Sequence, residues 1–264
     1  MIDCHTHSTF SLDGKENLEA MMTEARRKGL EYLATTEHCD MDYYRRGIDV
    51  PMLDVDAYLE EHSRLKRALF NGTIYYAAGV ELGYDPYAVD DYRAILDKYD
   101  FDVVINSVHL VDGDDVYYES YYNGRRKEDY YGDYFRTVRE SLDVPYGYDV
   151  VGHIGYAMRY APDKELDEES TELVRDIFKR IIELDKTIEL NSHVKLTGLG
   201  SVPTKRMLSI YRELGGENIT FSSDAHLSAR LVDRYEEVSS VAKELGYNYY
   251  AIFKNRKREM IRID

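Results

Sequence analysis

The stretch "MIDCHTHSTFSLDG" sets His5 and His7 two residues apart, with Asp3 two before His5 and Asp13 six after His7. Alternation is the period of a β-strand, so Asp3, His5 and His7 are expected on one face and Cys4 and Thr6 on the other. Three ionisable groups on a buried face are costly unless something cationic sits among them. A metal ion or a catalytic cluster is the chemistry such a face would serve.

The same residue types recur along the chain. "EYLATTEH" ends in His38, "DVVINSVH" ends in His109, "DVVGHIGY" carries His153, "KTIELNSH" ends in His193, and "NITFSSDAH" joins Asp224 to His226. "TIYYAAGVELGY" offers Glu81 instead. Seven of the 8 histidines thus stand at or just past the end of a β-rich run, and His62 alone lies inside a helical pattern. Unmetallated, so many imidazoles at one place would protonate and repel one another, so a polynuclear metal site is expected. Imidazole and carboxylate without thiolate suit zinc, manganese or iron in a site open to water. A carboxylate such as Glu81 can bridge two ions about 3.5–4 Å apart, an arrangement that serves hydrolysis.

These residues need a scaffold that brings strand ends together. The seven β-rich runs alternate with amphipathic stretches such as "NLEAMMTEARRKG", "DVDAYLEEHSRLKRALFNG" and "ESTELVRDIFKRIIELD", several opening on Asp or Asn and closing on Gly. That rhythm predicts a parallel sheet, and seven units fit an α/β barrel better than a doubly wound sheet, because no Gly-rich phosphate loop follows a strand. The site is then expected at the C-terminal rim of the strands. At 264 residues the chain is expected to form a single domain over 1–264.

Composition narrows the classes further. A formal net charge of -16 argues against a nucleic-acid partner, which would need clustered Lys and Arg. The short basic run "KNRKREMIR" is read as solvated surface. No run of 18 apolar residues and no basic-then-apolar leader pattern is present, so a soluble cytoplasmic protein without a membrane partner is expected. Cys4 and Cys39 are too few for a disulfide framework and are expected to be reduced.

In order, "DCHTH", "TEH", "GVELGY", "NSVH", "GHIGY", "ELN" and "SDAH" closely resemble the motifs of the polymerase and histidinol phosphatase (PHP) family, over roughly positions 1 to 226. The resemblance implies a distorted seven-stranded, TIM-barrel-like α/β fold with three divalent ions, zinc, manganese or iron. The first ion would take His5, His7, Glu81 and Asp224; the second would share Glu81 and add His109 and His153. The third would take His38 and His226, with Asp13 where some members carry His.

The activity implied is hydrolysis of a small phosphomonoester: L-histidinol phosphate in histidine biosynthesis, or alternatively another small ester, phosphotyrosine or a nucleotide. Arg159 resembles a phosphate-binding arginine of the family and, with Asp224, is expected in catalysis; Lys195 is similarly placed after the sixth strand. Asn191 either orients a neighbour or bonds the substrate. Glu37, where relatives often have Asp, reads as an orienter of ligands or as a solvent-facing carboxylate. His193 departs from the family pattern and either approaches the site or has no role. The Tyr-rich loop from Asp114 to Tyr122 is expected to wall the substrate. Proofreading exonucleases share the motifs but call for a basic strand channel, and amidohydrolases often need a strand-end lysine that is missing here. A metal store would need no open coordination position.

Overall fold

A computed structural model describes residues 1–41, 52–70, 72–193 and 200–263. The elements are β1 (Ile2–Asp3), α1 (Leu18–Arg27), β2 (Tyr32–Cys39), α2 (Val55–Ala68), β3 (Tyr75–Gly83), α3 (Val89–Lys98), β4 (Val103–Ser107), β5 (Leu110–Val111) and β6 (Asp114–Asp115). There follow α4 (Lys127–Ser141), β7 (Val150–Val151), α5 (Glu168–Glu183), β8 (Thr187–Asn191), α6 (Lys205–Glu213), β9 (Ile219–Ser222), α7 (Tyr235–Glu244), β10 (Tyr249–Lys254) and β11 (Lys257–Arg262).

The helices begin where side chains satisfy their free N–H groups. Asn17 accepts from Ala20, Asp54 from Ala57 and Asp167 from Ser170 at 2.8–3.0 Å. Basic residues close the last turns of α1, α2 and α5, where the helix dipole favours them. In α4 the stripe Tyr130, Tyr131, Tyr134 and Phe135 is buried, as its helical spacing predicts.

Seven strands form one parallel sheet in the order β1-β2-β3-β4-β7-β8-β9. The segment after β1 meets β9 and the residues following it. Cys4 N donates to Phe221 O, Asp224 N to His5 O and His7 N to Ala225 O at 2.9–3.0 Å, with a parallel bridge between Thr6 and Ala225. These bonds close the sheet into the barrel that the alternating pattern anticipates. Asp3 belongs to this seam and does not join the donor groups of the rim: it is buried and accepts from Ser223 N, Ser223 Oγ and Val232 N.

The basic run near the C-terminus is exposed or half-exposed throughout, as expected, and is also ordered: it makes most of the antiparallel pair β10–β11, which lies across the N-terminal ends of the strands. Arg256 pairs with Asp149 just before β7, its backbone N donates to Asp102 O just before β4, and Arg258 pairs with Asp185 ahead of β8. Acidic residues at the strand starts, spread through the sequence, supply the countercharge. Both cysteines are free and buried. Among the described residues no helix is long and apolar enough to cross a membrane.

Candidate metal centre

The strand ends of the C-terminal rim converge on Glu81, which is fully buried near the end of β3. Its Oε2 lies 3.1 Å from His5 Nε2, 3.5 Å from His7 Nε2 and 3.0 Å from His38 Nδ1. Its Oε1 lies 3.3 Å from His109 Nε2 and 3.0 Å from His153 Nε2, and accepts from Ser107 Oγ at 2.6 Å. Each oxygen of one carboxylate therefore faces a different set of imidazoles. Asp224 closes the first set, with Oδ1 3.4 Å from His7 Nε2 and 3.9 Å from His5 Nε2.

A third group lies toward solvent. Asp13, half exposed, puts Oδ2 2.9 Å from His226 Nε2 and Oδ1 3.7 Å from His38 Nε2. His7 stacks between the rings of His38 and His226 at 4.2 and 4.3 Å. His38 thus spans the first and third groups, with Nδ1 toward Glu81 Oε2 and Nε2 toward Asp13. His62, by contrast, is buried in α2 with its ring against Tyr58.

The donor set fits divalent ions. His5 Nε2 and His7 Nε2 approach to 2.9 Å, and His109 Nε2 and His153 Nε2 to 3.3 Å. Nitrogen lone pairs facing each other repel unless a proton or a cation lies between them, and two ligands about 2.0–2.1 Å from a tetrahedral zinc would stand about 3.3 Å apart. Glu81 Oε2, His38 Nδ1 and His226 Nε2 are buried yet form no aligned hydrogen bond, despite their close approaches. Such atoms are costly unless something else engages them.

Electrostatics points the same way. Burial would raise the Glu81 carboxyl, but His5, His38 and His109 outweigh it and hold it well below the usual range. Burial would lower the His109 imidazolium, yet Asp40 and Glu81 push it up to about 10. His7, buried and flanked by His38 and His226, is pressed down to about 3. The carboxylates hold positive charge at the centre, while crowding denies protons to some of the imidazoles.

Several partners escaped the sequence reading. Asp40 contacts both His109 Nδ1 at 3.0 Å and His38 Nδ1 at 3.3 Å, an approach possible because Gly83 lacks a side chain: a Cβ there would sit 1.7 Å from Asp40 Oδ1. Glu189 contacts His5 Nδ1 at 2.6 Å. A signal existed for both, since Asp40 follows His38 by two and Glu189 precedes Asn191 by two, the spacing of one strand face. Glu37 is buried rather than solvent-facing. It accepts from Ser8 and from Ser11 Oγ, and Ser11 Oγ lies 3.2 Å from His7 Nδ1 and accepts from His38 N.

Beside this cluster opens a cavity of roughly 560 Å³ whose walls include Arg159, Tyr117, Tyr118, Tyr156, His193 and Lys15. Gly155, at φ 104°, turns the chain after β7 so that the short helix Tyr156–Arg159 brings Arg159 to the rim. Arg159 is buried; Nη1 lies 3.3 Å from Asp224 Oδ2, Nη2 donates to Asn191 Oδ1, and Nε has no partner among the described residues. Asn191 is fully buried, and its amide is engaged by Glu189, Asp224, Arg159 and His193 N, an arrangement that fits the alternative in which it orients its neighbours. His193 does reach the cavity wall, with Nδ1 2.8 Å from Asp224 O. In the Tyr-rich loop Asp115, Tyr117 and Tyr118 line the cavity, whereas Tyr121 and Tyr122 are buried with their hydroxyls on backbone carbonyls. Lys195 lies outside the described residues.

Residues 3–193 match the model of the PHP domain family. The chain belongs to that family. Among PHP-domain relatives, it is 31% identical over 232 residues to a probable histidinol-phosphatase of Clostridium acetobutylicum, covering 86% of each. It is 29% identical over 260 residues to the histidinol-phosphatase of Lactococcus lactis subsp. lactis, covering 97% of this chain and 95% of the relative. The crystal structure of the Lactococcus lactis histidinol phosphate phosphatase, in complex with zinc, L-histidinol and phosphate, superposes with a TM-score of 0.87 at 28% identity over 98% of both chains. The PHP-domain barrel read from the motifs is therefore the observed fold.

Proposed function

We propose that this chain hydrolyses L-histidinol phosphate to L-histidinol and phosphate in histidine biosynthesis, in the cytoplasm, with residues 1–264 acting as one metal-dependent domain. The observation that carries the reading is the pair of imidazole sets on the two oxygens of Glu81, with buried Arg159 beside them. The named relatives and the ligands of the Lactococcus lactis structure support the substrate.

Three divalent ions, zinc, manganese or iron, would be held in this reading by His5, His7, Glu81 and Asp224, by Glu81, His109 and His153, and by His38, His226 and Asp13. Charge supports that number. Glu37, Asp40, Glu81, Glu189, Asp224 and Asp13 bring six negative charges to the cluster, which three divalent ions balance, leaving the Arg159 cation for a phosphate dianion. When bound, such ions supply Lewis-acid charge to phosphoryl oxygens and acidify water to a pKa of about 7. Arg159 grips the outer phosphate oxygens through the face of its guanidinium not committed to Asp224 and Asn191. Tyr156, its ring tilted against His153 at 4.8 Å, and the Tyr117–Tyr118 pair shield the cavity from solvent and wall the leaving group.

The test is a panel of esters on metal-loaded protein: L-histidinol phosphate, an aryl phosphate, phosphotyrosine and a nucleotide. L-histidinol phosphate should show the highest kcat/KM, chelation should abolish turnover of all, and Glu81→Ala should lose both metal and activity. Full activity after thorough demetallation overturns the reaction; a higher efficiency on another ester overturns the substrate.

A further inference from the structure

Glu189 lies in β8 with no solvent exposure, and no residue-type motif marks it as a ligand. Its Oε2 accepts the backbone N–H of His153 at 2.5 Å, and its Oε1 accepts Asn191 Nδ2 at 3.1 Å. Both oxygens are thereby held as acceptors by donors that cannot reverse. The remaining neighbour of Oε1 is His5 Nδ1 at 2.6 Å, which must therefore be the protonated nitrogen of that ring. His5 Nε2 is left with its lone pair among His7 Nε2, Glu81 Oε2 and Asp224. The same carboxylate reaches further. Asn191 Nδ2 also donates to Asp224 Oδ2 at 3.1 Å, while Asn191 Oδ1 accepts from Arg159 Nη2. A hydrogen-bonded row thus runs His5–Glu189–Asn191–Arg159 behind the wall of the site.

We infer that Glu189 is a positioning residue that commits His5 to ligate through Nε2 and, through Asn191, fixes the imidazole and the Arg159 guanidinium relative to one another. This rests on the metal centre proposed above. A Glu189→Gln side chain cannot satisfy both ends. With its NH2 toward His153 N it opposes donor to donor; with its NH2 toward His5 it favours the tautomer that carries the proton on Nε2 and cannot ligate.

The experiment uses the full-length zinc-loaded protein. Zinc titration against a chromophoric chelator should show one equivalent bound 10- to 100-fold more weakly in Glu189→Gln, with the other equivalents unchanged and Glu189→Asp recovering part of the loss, the size expected when the partner of a ligand histidine is lost. Histidine-labelled nitrogen NMR of the wild-type zinc protein should show His5 protonated at Nδ1, a signature that a purely structural carboxylate would not fix, and one readable even if the variant fails to fold. Wild-type affinity for every equivalent in Glu189→Gln, or His5 protonated at Nε2 in the wild type, overturns the inference while leaving the metal centre standing. A wild-type protein that binds no zinc, manganese or iron overturns the metal centre itself and this inference with it.

Discussion

Arg159→Ala should lower kcat/KM for every phosphate ester, and by a similar factor for each. The guanidinium is buried at the cavity wall, with Nη1 near Asp224, Nη2 on Asn191 and Nε unpartnered among the described residues, so it has N–H capacity for the group common to all esters. Losing one charge-assisted bond to a group whose charge shifts during transfer costs about 2–4 kcal/mol, or roughly 30- to 1000-fold. The substitution also leaves the Asp224 carboxylate without its cation, and breaking a buried pair costs about 3–5 kcal/mol of stability. The assay should therefore run at saturating metal, well below a separately measured Tm. The readout is the ratio of kcat/KM for L-histidinol phosphate to that for an aryl phosphate, in wild type, Arg159→Ala and Arg159→Lys. A ratio that moves strongly while the aryl ester is spared would mean that Arg159 reads the leaving group, and the phosphate assignment would be refuted.

Gly83→Ala should displace Asp40 from His109 and His38 and weaken metal binding about 10- to 100-fold, checked by chelator competition; unchanged affinity would show that Asp40 does not support those ligands. His62, whose burial holds its pKa near 4 against 6.5, binds its proton more readily unfolded, so its contribution to stability is present above pH 6.5 and drains away as pH falls through 4. The loss is about 3 kcal/mol at most, and the stability difference between wild type and His62→Gln should change with pH over that window at fixed metal; a flat difference would contradict it. Arg256→Met should cost about 3 kcal/mol in urea unfolding by stranding Asp149, whose side chain is 10% exposed, and leave kcat/KM unchanged because the hairpin sits at the opposite end of the barrel.

Much of this was legible from periodicity. The seven strands follow from β-rich runs alternating with capped helices, and histidines near the strand ends point to one rim because parallel strands share a direction. What sequence alone could not supply was depth and pairing. Asp40 and Glu189 look like any acidic residue near a strand end until Gly83 and the barrel interior bring them against imidazoles. Asn191 reads equally well as a substrate contact, and only the fold shows its four bonds to neighbours. The basic run near the C-terminus was legible as surface, but its ion pairs with Asp149 and Asp185 were not, because those residues lie scattered through the chain and only the topology gathers them.

The seam between the first and last strands of the barrel carries a further meaning. Asp3 and Ser223 are 220 residues apart in sequence, and the residues beside them supply His5 and His7 from one side and Asp224 and His226 from the other. Ring closure must therefore await the most distant strand pairing in the barrel, the kind of contact that slows folding. Ions bound as proposed above, by both sides of the seam, would act as a latch, stabilising the closed ring by mass action according to their free concentration. The site's donors come from both sides of that junction, so in this reading metal supply would govern assembly of the site as well as its turnover.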